Sequence, residues 1–126
     1  MRIIIVCIFF YLNASCQQRS SHSEKESVDS FKVYVDNYIG IILDVRTPEE
    51  NNEEHIQGAI NIDYNNDGFS SALDTLDKNL HSAVYCRSGR RSGLAIDMMK
   101  KKNINNISHL EGGILEWKAN GNETVK

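Results

Sequence analysis

Apolar residues along this chain fall into short continuous runs separated by amphipathic stretches, the pattern of buried strands alternating with helices. Ile39-Gly40-Ile41-Ile42-Leu43-Asp44-Val45 is apolar without alternation, which predicts a strand covered on both faces. Ala59-Ile60-Asn61-Ile62, Ala83-Val84-Tyr85 and the segment from Ile107 to Leu110 predict three more strands. At the start of this region Val28 predicts a short edge strand. Asp29 and Ser30 are helix-capping types, and Phe31, Tyr34 and Val35 share one helical face. Pro48-Glu49-Glu50 reads as a first helical turn, with proline early and acids at the positive end of the dipole. The stretch from Phe69 to Leu76 predicts a short amphipathic helix, and that from Ser92 to Lys102 a longer one. In the longer helix Leu94, Ala95, Met98 and Met99 form the apolar face. Lys100, Lys101 and Lys102 suit its negative end, and Asn103 suits the left-handed position that follows. Gly112-Gly113 predicts a tight turn, and a closing helix from Ile114 to Asn120 buries Trp117. This alternation predicts an α/β fold, a small, mostly parallel sheet flanked by helices on both faces. Ligands of such sheets bind outside the C-terminal ends of the strands. Asp44-Val45-Arg46, the loop after Tyr85 and Glu111-Gly112-Gly113 are expected at that edge.

The first residues follow another pattern. Met1-Arg2 is a minimal positive region, and the segment from Ile3 to Leu12 is almost wholly apolar but too short to span a bilayer as a helix. Asn13-Ala14-Ser15-Cys16 puts small residues just before a cysteine, which predicts a secretory signal over residues 1–15. The segment resembles the lipobox of bacterial lipoproteins, in which the signal is cut before a cysteine that carries lipid. It departs from that pattern at Asn13, where an apolar residue is usual; Leu12 stands one position further back. The resemblance implies lipidation of Cys16, export and a periplasm-facing protein held to a membrane by its N-terminal lipid. Residues 16–27 are then a polar, disordered tether, since the run QQRSSHSEKE offers no apolar side chain to bury. The folded domain is expected over residues 28–126.

Composition narrows the function. Hydrophobic residues make up 40% and charged residues 25% of the 126 residues, as in an ordinary globular protein. A net charge of −3 argues against nucleic acid as a partner. The four histidines (His22, His55, His81 and His109) are scattered, and the cysteines have no zinc-site spacing, so neither a metal nor an organic cofactor is implied.

Against that acidic background, Val84-Tyr85-Cys86-Arg87-Ser88-Gly89-Arg90-Arg91-Ser92 carries three arginines around one cysteine. Its order places a thiol at the end of a strand and beneath the N-terminus of a helix. Free backbone N–H groups there favour an anion, hence a thiolate, which is the nucleophilic form. Arg87 and Arg90 flank the thiol and are expected to lower its pKa. Arg91 is expected to brace the loop through a carboxylate, with Asp44 the candidate. Arg46 and Glu50 form an i,i+4 pair expected to hold their turn. His55 reads as a hydrogen-bonded structural residue rather than a base.

Four blocks in register carry a family resemblance. They are Ile42-Leu43-Asp44-Val45-Arg46-Thr47-Pro48-Glu49-Glu50, His55-Ile56-Gln57-Gly58-Ala59-Ile60-Asn61, the loop from Tyr85 to Ser92, and Leu110-Glu111-Gly112-Gly113-Ile114-Leu115-Glu116-Trp117. The domain resembles a single-domain rhodanese, a sulfurtransferase module. The resemblance implies that Cys86 is the nucleophile and takes a sulfane sulfur as a persulfide, with Arg87, Ser88, Gly89, Arg90, Arg91 and Ser92 as its active-site loop. It makes Asp44, Arg46 and His55 supporting residues. It also implies a small anionic donor such as thiosulfate and a thiol or cyanide acceptor. The spacing from Cys86 to Arg91 matches the loops of this family. Related phosphatases carry one residue more between cysteine and arginine, which would put an arginine at position 92, where Ser92 stands. Asn51 replaces an aromatic usual after the acidic pair, Glu54 replaces a glycine before the histidine, and Ser82 is polar in a strand that is usually apolar. A second reading stays open at this point: a membrane-tethered, non-catalytic module that binds a partner or responds to redox state, since an exported thiol without a disulfide partner is prone to over-oxidation.

Overall fold

The computed structural model describes residues 27–126. The expected signal, the Cys16 lipidation site and all of the tether except Ser27 lie outside the described residues. Helix α1 is Val28–Asp36, β1 Ile41–Asp44, α2 Pro48–Glu53, β2 Ala59–Asn61 and α3 Phe69–Leu73. They are followed by β3 Ser82–Tyr85, α4 Arg90–Lys101, β4 Ile107–His109 and α5 Gly113–Ala119. The strands form one sheet in the order β2-β1-β3-β4, and every pairing is parallel. Leu43 of β1 lies opposite Ile60 of β2 and Val84 of β3, and Val84 in turn lies opposite His109 of β4.

The period-2 geometry of the central strands sorts two cores. Ile41, Leu43, Val45, Val84 and Cys86 face one side, where they meet Phe69 and Leu73 of α3 and Ala95, Ile96 and Met99 of α4. Ile42, Ala83 and Tyr85 face the other, where Val28, Phe31 and Val35 of α1 and Ile114 and Trp117 of α5 cover them. Phe31 sets its ring edge-on to both Tyr85 and Trp117. The α/β fold with helices on both faces is therefore as the hydrophobic pattern predicts.

Three local expectations change. Val28 is the first residue of α1 rather than an edge strand, and the cap is Ser27, whose hydroxyl accepts from the Ser30 N–H at 3.2 Å. The reason is the i, i+3, i+7 stripe of Val28, Phe31 and Val35, which only a helix can turn onto the sheet. Helix α4 begins at Arg90, two residues before the expected start. Its buried face is Ser92, Ala95, Ile96 and Met99, while Leu94 is 41% exposed. Ser92, Ala95, Ile96 and Met99 stand at i, i+3, i+4 and i+7 and form the stripe that meets the sheet, which leaves Leu94 outside it. Asn103 takes the left-handed conformation expected of it, at φ +64°.

Candidate active site

Strand β3 delivers Cys86 at its carboxyl end, and the chain turns at once into α4. The turn is made at Gly89, whose φ of +102° is a conformation other residues rarely adopt. A side chain there would also collide with the carbonyl oxygen of Glu111, since a Cβ would lie 1.8 Å from it. Gly113 makes the reciprocal contact from the turn after β4: its φ is +64°, and a Cβ would lie 2.2 Å from the Arg87 oxygen. The N–H groups of Ile114 and Leu115 donate to the carbonyls of Cys86 and Arg87 at 2.9 and 3.2 Å. Gly113 thus serves backbone geometry, and that geometry holds the loop that contains Cys86, while Gly112 keeps an ordinary helical backbone at φ −82°.

Cys86 is 1% exposed, and its Sγ is met by donors of its own loop. The Gly89 N–H donates at 3.0 Å and the Ser92 hydroxyl lies at 3.3 Å. Burial pushes the thiol pKa up. Hydrogen bonds from the Ser92 hydroxyl and from the N–H groups of Ser92, Gly89 and Ser88 more than offset this, so it lies below the ordinary cysteine value. The strongest lowering influences are thus the loop's own donors and not Arg87 or Arg90, both of which are exposed. This differs from the expectation drawn from charge alone, because hydrogen bonds act at contact distance while exposed guanidinium charge is screened by water.

The ion pairs exchange partners relative to expectation. Arg91 grips Glu50, not Asp44, through two hydrogen bonds of 2.7 and 2.9 Å. Glu50 also closes the capping box of α2, accepting from the Thr47 N–H at 3.0 Å while its own N–H donates to Thr47. The Arg91 guanidinium therefore ties the cysteine loop to the start of α2. These contacts hold the Glu50 carboxyl down at about 2, with the Arg91 hydrogen bonds the largest cause.

Arg46 instead folds back on Asp44, two residues away, with Nε at 3.0 Å and Nη2 at 2.7 Å from its carboxylate. Asp44 is fully buried and Arg46 is 3% exposed. The carboxylate also accepts from the Arg46 N–H, the Asn51 side-chain amide and the Tyr85 hydroxyl. Arg46 further donates to the Glu54 carbonyl at 2.7 Å. A buried charge pair persists when its remaining sites are satisfied in this way. Asn51, at a position where an aromatic was expected, thus serves as a ligand of that pair. The Tyr85 hydroxyl, buried beside Asp44, is pushed above its ordinary pKa by burial first and by the Asp44 charge second, so it stays protonated as a donor. Asp44 and Arg46 stitch β1 to β3 and to the segment before His55. The His55 Nδ1 lies 2.9 Å from the Asn51 carbonyl, and its backbone pairs with Val125, consistent with a structural histidine.

Sequence reasoning paired Glu50 with Arg46 and so missed its contact with Arg91, and it did not single out His109. Glu50 was legible as the last residue of a Thr-x-x-Glu capping box, but its reach to Arg91 spans 41 positions. His109 lies with Nε2 2.7 Å from the Ser92 hydroxyl. Its only sequence signal was its place at the carboxyl end of the strand beside β3.

A parallel sheet with helices on both faces, and a cysteine cradled by backbone donors at its carboxyl edge, is the architecture of the rhodanese-like domain. The family model of that description matches residues 27–120, and the chain belongs to this family. It is 37% identical over 86 residues to the Synechocystis sp. protein slr1261, covering 68% of this chain and 47% of that one. It is 37% identical over 70 residues to the thiosulfate sulfurtransferase PspE of Escherichia coli, covering 56% and 67% respectively. The chain thus spans about half the length of the first relative and two thirds of the second. The crystal structure of a rhodanese-related protein from Thermoplasma volcanium is similar at a TM-score of 0.69 and 28% identity, covering 78% of this chain and 93% of that one. At family level the kinship is with sulfurtransferases.

Proposed function

We propose that the domain moves a sulfane sulfur from a small anionic donor of the thiosulfate type to a thiophilic acceptor, through a persulfide on Cys86. The observation that carries this reading is the pair of donors on the Cys86 sulfur, the Gly89 N–H and the Ser92 hydroxyl, in a loop whose length suits sulfur. The thiolate attacks the outer sulfur of the donor. A Cys86–sulfur bond forms, the donor's sulfur–sulfur bond breaks, and sulfite leaves with the bonding electron pair. The terminal sulfur of the persulfide is anionic, and loop donors that hold the thiolate serve it as well. An acceptor nucleophile, a thiol or cyanide, then attacks that outer sulfur and Cys86 leaves as thiolate. This is two-step covalent catalysis and predicts ping-pong kinetics. Export and lipid anchoring through Cys16 complete the proposal; the apolar run, the small residues before Cys16 and the polar stretch after it support them.

Intact mass of the protein after thiosulfate treatment tests the reading. One added sulfur is expected, lost on addition of cyanide and absent from Cys86→Ser. The near-complete burial of Cys86 favours one rival, a non-catalytic module of the same fold. An unmodified mass together with an inert Cys86 would establish that rival.

A further inference from the structure

We propose that His109 is a positioning residue for Cys86, acting through Ser92 to aim its hydroxyl proton at the sulfur. The proposal rests on the reading of Cys86 as the sulfur carrier and extends it to a residue outside the loop. The argument is a count of protons. The Ser92 hydroxyl carries one proton and has three neighbours that can accept it: Cys86 Sγ at 3.3 Å, the Gly89 carbonyl at 3.1 Å and His109 Nε2 at 2.7 Å. If Nε2 is bare, the shortest contact takes the proton and the sulfur receives nothing from Ser92. If Nε2 carries hydrogen, it donates to the hydroxyl oxygen, and the serine proton is released to the other two. The Gly89 carbonyl already accepts the Gly93 N–H at 3.0 Å. An anionic sulfur is the stronger acceptor of what remains. A protonated Nε2 and a thiolate or persulfide anion thus favour one another across Ser92.

The fold builds this chain from three elements. β3 supplies Cys86, α4 supplies Ser92, which is fully buried, and β4 supplies His109, held in parallel register opposite Val84. The Arg91 charge interacts with the sulfur, but Arg91 is engaged with Glu50 and is left untouched by the substitutions below.

The test is the pH dependence of Cys86 alkylation in the full chain, read on its own peptide by mass spectrometry so that Cys7 and Cys16 do not contribute. His109→Leu is expected to raise the Cys86 midpoint by about one pH unit, a roughly tenfold loss of thiolate on the acid side. Ser92→Ala should do the same, and the double variant no more than either single. His109→Gln, whose amide N–H can reach the Ser92 oxygen, should restore the wild-type midpoint. Should His109→Leu melt too low to assay, His109→Asn takes its place, because its shorter amide does not reach and must behave as the leucine does. An unshifted midpoint, additive shifts in the double variant, or glutamine behaving as leucine overturns the proposal. Because alkylation needs no sulfur transfer, the two readings fail separately. A shifted midpoint without persulfide formation keeps His109 and sinks the sulfur carrier. Persulfide formation with an unshifted midpoint sinks His109 alone.

Discussion

Glu50→Gln isolates the charge that ties the cysteine loop to α2. The glutamine keeps an oxygen for the Thr47 N–H, so the cap survives while the anionic partner of Arg91 is lost. The Glu50 carboxyl is held at about 2 against an ordinary 4.5. At ~1.4 kcal/mol per pH unit, that difference sets an upper bound of about 3 kcal/mol on the stabilisation. The side chains of Arg91 and Glu50 are 19% and 29% exposed, so water screens the pair and a contribution of about 1–2 kcal/mol is expected. Because the folded state lowers this pKa, the unfolded chain takes up the proton first as the pH falls. The stabilisation is therefore complete above about pH 5 and is lost through the window between 4.5 and about 2. Urea unfolding followed by the fluorescence of the single tryptophan, Trp117, measures it. At neutral pH the variant should be less stable than wild type by that amount, and the gap should close toward zero near pH 2. A gap of the same size at neutral and acid pH would refute the reasoning, since the loss could not then come from the carboxylate charge.

Gly113→Ala should lower the melting temperature and sulfur transfer together, by at least about 1–2 kcal/mol in stability, because a left-handed backbone and a Cβ 2.2 Å from the Arg87 oxygen cannot coexist; an unchanged melt would show that the loop has room to move. Aryl phosphates should not turn over, since the loop is one residue short of the phosphate-sized spacing, and hydrolysis lost on Cys86→Ser would reverse that assignment. Cys16→Ala should release the protein from the membrane fraction or leave it unprocessed, with labelled fatty acid taken up by wild type only; identical fractionation without label in either would refute lipid anchoring.

Much of this protein was written in its local pattern. The apolar run around Ile42 and Leu43 could be buried only on both faces, so it demanded a central strand and helices on each side. The cysteine at the end of a strand, with a glycine turn into a helix just after it, placed a thiol among backbone donors. These features are legible because strand and helix periods, turn chemistry and helix polarity act over a few neighbouring residues. The partners of the long charged side chains were not legible. Arg46 and Arg91 each have several carboxylates within reach in principle. Asp44 went to the arginine two residues away, and Glu50 to the one 41 positions on, because the fold buries the first pair and turns the start of α2 toward α4. His109 was one scattered histidine until the register of β4 against β3 set it beside Ser92. Sequence distance does not rank contacts between segments that meet only when the sheet assembles. Those contacts, and with them the donor arrangement around the Cys86 sulfur, are decided by tertiary structure.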